Sequence, residues 1–137
     1  MATIKSYSDL QQSKKLAKIL PLSTADMCFK CVGEDPYDVV LRPYSEWKEE
    51  YKGLLVDKEV DVIPCWSLAS LLEAIPQEIF DGEYIINITE GQDNRWILTY
   101  DHYENRNHSY YSLSTGADNL VDACVVMIEK LHELKVL

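Results

Sequence analysis

The stretch from Tyr84 to Tyr100 reads YIINITEGQDNRWILTY and carries the clearest strand pattern in the chain. Apolar or aromatic residues occupy positions 84, 86 and 88 and alternate with a set that includes Asn87 and Thr89. Turn-forming residues at 91–94 then separate this segment from a second apolar run at 96–100. Two alternating runs joined by a short polar turn predict a β-hairpin.

Further strands are predicted on both sides of this hairpin. Residues 27–32 alternate in the same way, and the turn-forming run Gly33-Glu34-Asp35-Pro36 precedes a second apolar run at 37–41. Residues 108–113 form one more candidate strand, with Tyr110, Tyr111 and Leu113. Because hairpin-linked strands run antiparallel, we expect one antiparallel sheet of about five strands.

Three amphipathic segments predict helices. The first spans 8–20, with Ser8 as N-cap and Gln11 completing a capping box. A short one spans 67–75 between Ser67 and Pro76, and the last spans about 118–134 with Asp118 or Asn119 as its cap. The expected fold class is therefore α+β, with the terminal helices and the short central helix packed on one face of the sheet and the other face partly open.

Residues 43–64 give the weakest pattern. Residues 45–52 could form a short helix, and 54–63 fit a small hairpin or an ordered loop equally well. The chain has 137 residues, the usual size of one domain, so we expect a single domain over 1–137.

The charge balance restricts the class of partner. The formal charge is −10, with 23 acidic residues against 13 Lys and Arg. Nucleic acids and anionic membranes attract basic surfaces, so we expect neither as a partner. An acidic surface can instead bind a basic protein, in part through the acidic segment 46–61, or mimic DNA toward a DNA-binding protein. A net charge of this size also serves simply to keep a protein in solution, and the sequence leaves this alternative open.

The four cysteines indicate a reducing compartment. The first residues contain no apolar leader, and no run of 18 apolar residues occurs. We therefore expect a cytoplasmic protein with free thiols. Cys28 and Cys31 lie three apart in a predicted strand and would face opposite sides of the sheet, which argues against a redox pair or a metal site. No phosphate-binding glycine motif is present, so no cofactor is predicted.

Cys65 carries the one catalytic alternative. The sequence Cys65-Trp66-Ser67-Leu68 precedes a predicted helix, where a thiol pKa is lowered. This stretch, with Leu72-Glu73, resembles the nucleophile helix of papain-type cysteine peptidases over about ten residues, without the usual turn before the nucleophile. The resemblance implies a thiol hydrolase, with His102 or His108 as base and Asp101 or Asn107 as orienting group.

The loop at 100–111 is the predicted binding surface. It reads YDHYENRNHSYY, and its candidate contact residues are Tyr100, His102, Tyr103, His108, Tyr110 and Tyr111. Tyrosine offers a large contact area and a polar group at low entropic cost, which suits recognition of a protein.

Several segments together resemble a family of short uncharacterised proteins from gut bacteria, some carried on mobile elements or prophages. The resemblance covers most of the chain and is carried by residues 8–17, Pro43-Tyr44-Ser45-Glu46-Trp47, Pro64 to Leu68, and the C-terminal segments 122–124 and 131–134. It implies a bacterial setting, no transferable activity, and an insertion at 48–62.

The sequence therefore predicts a small protein-interaction domain without catalytic activity. The alternatives are the thiol hydrolase that uses Cys65, a DNA-mimic or inhibitor protein of a mobile element, and a structural subunit that forms a homo-oligomer through the open sheet face.

Overall fold

A computed structural model of the chain describes residues 5–46, 60–105 and 108–137, without the side chains at 109, 111 and 112. Its helices and strands belong to two compact units, Tyr7–Ser70 and a second unit formed by Met1–Ser6 with Leu71–Leu137. The α+β class and the antiparallel strand pairing are confirmed, but the strands form two sheets instead of one.

The first unit contains a three-stranded sheet and the first helix. The helix α1 spans Leu10–Leu16, and the strands are β1 (Met27–Val32), β2 (Asp38–Val40) and β3 (Val60–Cys65), in the order β2-β1-β3. The predicted β1–β2 hairpin is confirmed, with Cys28 opposite Val40. On the other edge β1 pairs with β3 from Met27↔Cys65 to Val32↔Val60.

The core of this unit lies on one face of its sheet. Met27, Phe29, Ile63 and Cys65 form its buried cluster, and partly buried apolar residues pack against it, including Leu10 of α1. Tyr7 joins the same cluster, with its ring edge-on to Phe29 at 6.3 Å. Cys28, on the alternate set of β1, is fully buried as well, so the alternation at 27–32 does not divide the strand into a buried and an exposed face.

The cap of α1 is shifted by one residue from the prediction. Asp9 is the N-cap, and its side chain and that of Gln12 form the capping box. Ser8 cannot cap this helix because its side chain is buried, where its Oγ lies 2.7 Å from Ser13 Oγ and accepts from the Trp66 N–H at 3.2 Å. The prediction of a capping box with Gln11 is thus wrong in register.

The second unit contains a four-stranded sheet covered by the last helix. Its strands, in sheet order, are β4 (Glu78–Ile79), β5 (Tyr84–Glu90), β6 (Trp96–His102) and β7 (Ser109–Ala117). The helix α2 spans Leu68–Ala74 and contains the boundary between the two units at Ser70 and Leu71. The helix α3 spans Leu120–Glu133 and packs on β6 and β7. Asn119 is its cap, with its Oδ1 accepting from the Asp122 N–H at 2.8 Å.

The single five-stranded sheet was a wrong expectation for a definite reason. β1 has β2 on one edge and β3 on the other, so no edge of it is left for the strands at 84–117. The two terminal helices accordingly serve different sheets, since α1 packs on β3 and α3 on β6 and β7. The prediction of a single domain over 1–137 stays a prediction.

Part of the weakest sequence segment lies outside the described residues. Residues 44–46 are helical, and the rest of the predicted helix at 45–52 is not described. Of the inferred insertion at 48–62, residues 48–59 are likewise outside the described chain, and 60–62 open β3.

Candidate functional site

A tight turn between β4 and β5 builds one end of the candidate site. Asp81 and Gly82 have φ of 58° and 84°, and the Glu83 N–H donates to the Phe80 carbonyl at 3.2 Å. Positive φ at both central residues is the requirement of a type I′ hairpin turn, which Asp-Gly satisfies well. This turn places Phe80 directly before the chain reversal.

Phe80 is held in an unusual conformation and remains exposed. Its φ is 53°, in the left-handed region, and 44% of its surface is accessible. A bulky residue in that region is an outlier that costs on the order of 1–3 kcal/mol, and such strain is concentrated at functional sites. The strain here keeps a large apolar ring at the surface.

Five rings gather around this turn, and we call them the aromatic patch: Phe80, Tyr84, His102, Tyr103 and Tyr110. The first strand residue of β5, Tyr84, is the cross-strand partner of His102 at the end of β6. Tyr110 near the start of β7 completes a triangle, with ring centroids 5.5 Å from Phe80 and 5.3 Å from Tyr84. Phe80 and Tyr84 are 6.1 Å apart.

The rings pack in the geometries that aromatic pairs prefer. Tyr84 is edge-on to His102 at 5.5 Å, and His102 stacks on Tyr103 at 5.2 Å with 25° between the ring planes. Tyr103 is 54% exposed, whereas Tyr84, His102 and Tyr110 are half-buried. The patch therefore presents two exposed rings, Phe80 and Tyr103, on a support of three fixed ones.

Two carboxylates border the patch. Glu83 Oε1 lies 3.7 Å from His102 Nε2, and Glu104 Oε1 accepts from the Tyr103 hydroxyl at 2.8 Å. The Glu104 carboxylate, by this hydrogen bond and by its charge, raises the pKa of the Tyr103 hydroxyl. Glu104 also donates its N–H to His102 Nδ1 at 3.3 Å, so the neutral imidazole carries its proton on Nε2, toward Glu83. The edge of the patch is thus acidic.

A shallow depression of about 180 Å³ adjoins the patch. It is lined by Ile85, Ile86, Asn87, Asp101, His102 and Tyr103. Asn87 Nδ2 donates to Asp101 Oδ2 at 3.1 Å across it. Pockets for drug-sized ligands enclose roughly 300–1,000 Å³, so this depression is suited to one or two side chains and not to a cofactor.

Three of the six predicted binding residues belong to the patch, namely His102, Tyr103 and Tyr110. Tyr100 does not, because its ring is fully buried and its hydroxyl donates to the Pro76 carbonyl at 2.6 Å. Burial raises the pKa of this hydroxyl. His108 is exposed and supports the loop through its backbone, with its carbonyl accepting from the His102 N–H at 2.9 Å. The side chain of Tyr111 lies outside the described residues.

Cys65 lacks the properties of a nucleophile. It ends β3 instead of starting a helix, its exposure is 0%, and burial raises the pKa of its thiol to about 11. Its Sγ donates to the Ser8 carbonyl at 3.4 Å. The structure therefore argues against the thiol-hydrolase alternative, and its suggested orienting group Asn107 lies outside the described residues.

The group that bonds to the residues at the N-terminus of α2 is the carboxylate of Asp26 and not the thiol of Cys65. Asp26 accepts from the Ser67 N–H at 2.9 Å, from the Ser67 hydroxyl, and from the Ser70 hydroxyl at 2.9 Å. Partial burial pushes the pKa of Asp26 upward, but these hydrogen bonds outweigh it and lower the pKa below its ordinary value. Ser67 Oγ in turn accepts from the Ser70 N–H at 3.2 Å, which confirms its predicted capping role.

The remaining cysteines are core residues. All four are free and buried, and burial raises the pKa of Cys28 and, to about 12, that of Cys124. Cys31 donates to the Asp35 carbonyl at 2.8 Å. Among the described residues, no three His, Cys, Asp or Glu side chains are grouped so as to hold a metal ion.

Sequence reasoning missed Phe80, Glu83 and Tyr84 as site residues. The signal that could have found them is Asp81-Gly82, the dipeptide most typical of a two-residue hairpin turn, which implies a short strand before it. The structure describes only part of the acidic segment 46–61. Its ends, Glu46 and Asp61, are exposed, Asp61 accepts from the Tyr37 hydroxyl, and residues 47–59 are outside the described chain.

Comparisons with protein-family models, with curated proteins and with solved structures find no match to this chain. None of the helices in the described ranges combines the length and the apolar character needed to span a membrane. The candidate function therefore rests on the geometry of the aromatic patch.

Proposed function

We propose that this protein is a small interaction module without catalytic activity, and that its aromatic patch binds a basic segment of a partner protein. The observation that carries the proposal is the exposure of Phe80 and Tyr103 above three packed rings, with Glu83 and Glu104 at the border. Exposed aromatic groups on a rigid support are typical centres of binding energy in protein interfaces.

A cationic side chain suits this surface better than an apolar or acidic one. The face of a tyrosine or phenylalanine ring attracts Lys and Arg, with about 0.5–2 kcal/mol for each contact. Glu83 and Glu104 add direct charge attraction, and the net charge of −10 steers a basic partner toward the protein. The adjoining depression of about 180 Å³ is large enough for a side chain of that partner.

The proposed setting is the cytoplasm, where a partner protein and reduced thiols occur together. Support for this setting comes from four free, buried cysteines, which is the usual state in a reducing compartment.

The test compares variants of equal charge. We would measure the Kd of a fluorescent twelve-residue peptide of alternating arginine and glycine for the natural protein, for Phe80→Ala and Tyr103→Ala, and for Leu41→Ala. Leu41 is 80% exposed in the other unit and serves as the matched control. All these proteins have the same net charge, so general attraction of the peptide is unchanged.

The expected result is that each patch variant weakens binding about five- to thirtyfold, the loss of roughly 1–2 kcal/mol for one cation–π contact, with no change for Leu41→Ala. Equal Kd values for all four proteins would show that the peptide responds only to net charge, and the proposal would be abandoned.

A further inference from the structure

Among the described residues, the second half of strand β5 is paired on one side only. β4 pairs only with its first two residues, as Ile79↔Tyr84 and Glu78↔Ile85, whereas β5 continues to Glu90. On its other side β5 is paired with β6 along its whole length, from Tyr84↔His102 to Glu90↔Trp96. Within the described residues no strand follows β4 along this edge.

The backbone groups on this edge point outward. The Ile86 N–H donates to the Gln77 carbonyl at 2.9 Å, on the side of β4. In an antiparallel strand the N–H and C=O of one residue point to the same side, and the side changes with each residue. The N–H and C=O of Ile88 and the N–H of Glu90 therefore point to the same side as those of Ile86, past the end of β4.

Of the features by which proteins protect a free strand, β5 has one charged residue, Glu90, and lacks the others named next. Charged lysines, prolines and bulges normally block further pairing there. β5 has the sequence YIINITE, without Lys or Pro, and its register with β6 is continuous over all seven residues. Asn87, Ile88, Thr89 and Glu90 are all exposed, Ile88 by 39%. The edge is thus open to an added strand.

The charges near this edge determine which kind of added strand it favours. Residues 77–94 contain no Lys or Arg. Of their exposed carboxylates, Glu90 and Asp93 lie at and just beyond the unpaired end of β5, whereas Glu83 borders the aromatic patch at the other end of the strand. A second copy of this chain would bring the same carboxylates against one another, which like-charge repulsion disfavours. A strand that carries Lys or Arg would neutralise them.

We propose that the β5 edge at Ile88–Glu90 binds an extended, basic segment of a partner protein as an added β-strand. Main-chain hydrogen bonds to Ile88 and Glu90 supply the pairing, as in other strand-addition complexes, and the surrounding carboxylates supply the preference for a basic sequence. This surface is distinct from the aromatic patch, so the inference does not depend on the proposed function.

The experiment tests whether the outward-pointing backbone N–H of Ile88 contributes to binding. Ile88→Pro removes the outward N–H and no hydrogen bond to β6, and proline is tolerated on an edge strand in this orientation. Ile88→Val keeps the N–H and is the matched control. The ligand is a capped seven-residue peptide of alternating valine and lysine, and its charge-matched control is the same peptide with alternate backbone nitrogens methylated, which cannot pair as a strand.

The expected result is at least a tenfold higher Kd for Ile88→Pro, no change for Ile88→Val, and at least a tenfold higher Kd for the methylated peptide with the natural protein. Tyr103→Ala should bind the unmethylated peptide as well as the natural protein does, which separates this site from the aromatic patch. The methylated peptide tests the pairing even if Ile88→Pro does not fold.

Equal affinity for the two peptides would show that only charge is recognised and would overturn the proposal. Self-association of the natural protein that Ile88→Pro abolishes would also overturn it, because the edge would then be occupied by a second copy.

Discussion

Replacement of Tyr100 by phenylalanine removes the one hydroxyl that links the buried face of β6 to the segment before β4. The Tyr100 hydroxyl donates to the Pro76 carbonyl at 2.6 Å, and its ring has no solvent exposure. The ring remains in Tyr100→Phe, so apolar packing is preserved. The change removes one hydrogen bond and leaves the Pro76 carbonyl without its donor.

The expected loss of stability follows from these two terms. A net hydrogen bond contributes about 0.5–1.5 kcal/mol, and a buried acceptor left without a donor costs about 1–3 kcal/mol. Pro76 is only half-buried, so water can partly replace the donor, and we expect the free energy of unfolding to fall by about 1–2 kcal/mol.

The assay is urea unfolding followed by circular dichroism. With a slope of about 2 kcal/mol per M, the midpoint should shift down by roughly 0.5–1 M. Tyr103→Phe is the matched control, because its hydroxyl is exposed and bonds only to Glu104, and its effect should stay within about 0.5 kcal/mol. Equal effects of the two substitutions would refute the reasoning, since buried and exposed hydroxyls would then be equivalent.

Three further predictions concern the thiols and the last helix. Cys65 should resist alkylation at pH 8 in the native protein and react only after denaturant is added, because it is buried and its pKa is raised to about 11. Mass spectrometry would map the labelled cysteines, and rapid labelling of native Cys65 would restore the hydrolase alternative. Stability should decline as the pH rises above about 9, because thiols ionise in the unfolded chain while Cys65 and Cys124 stay protonated in the folded one up to about 11 and 12. A Cys65→Ala/Cys124→Ala variant should show a smaller slope in urea titrations, and the part that remains comes from Cys28 and Tyr100, whose pKa values burial also raises. Asn119→Ala should lower the free energy of unfolding by about 1 kcal/mol, because the Asp122 N–H at the start of α3 loses its acceptor, and an unchanged thermal midpoint would contradict that capping role.

Most local elements were predictable because their signals are contained in a few neighbouring residues. The alternation at 27–32 and 84–100 gave β1, β5 and β6, and the periodic apolar residues near the C-terminus gave α3 with its Asn119 cap. The strand β4 was missed because two residues are too few to show alternation. β3 was left open between two alternatives, because the segment 54–63 by itself fits a small hairpin or an ordered loop equally well.

The candidate site was only partly predictable, since exposure is not a local property. Tyr100 and Tyr103 belong to the same tyrosine-rich loop in the sequence, yet one is fully buried and the other is 54% exposed. Phe80 joins the patch from a turn that lies about thirty residues before Tyr110, and the pairing of β6 with both β5 and β7 brings them together.

Composition and periodicity are local properties, so the residues alone were enough to establish the net charge and the positions of most helices and strands. Tertiary structure alone decided that β1 pairs with β3 across the chain, which divides the strands into two sheets. It also decided that Cys65 is buried and that, within the part of the chain that the structure describes, half of β5 is paired on one side only. These outcomes depend on which distant segments pair along each strand edge and pack on each sheet face, and the packing of the whole chain determines this.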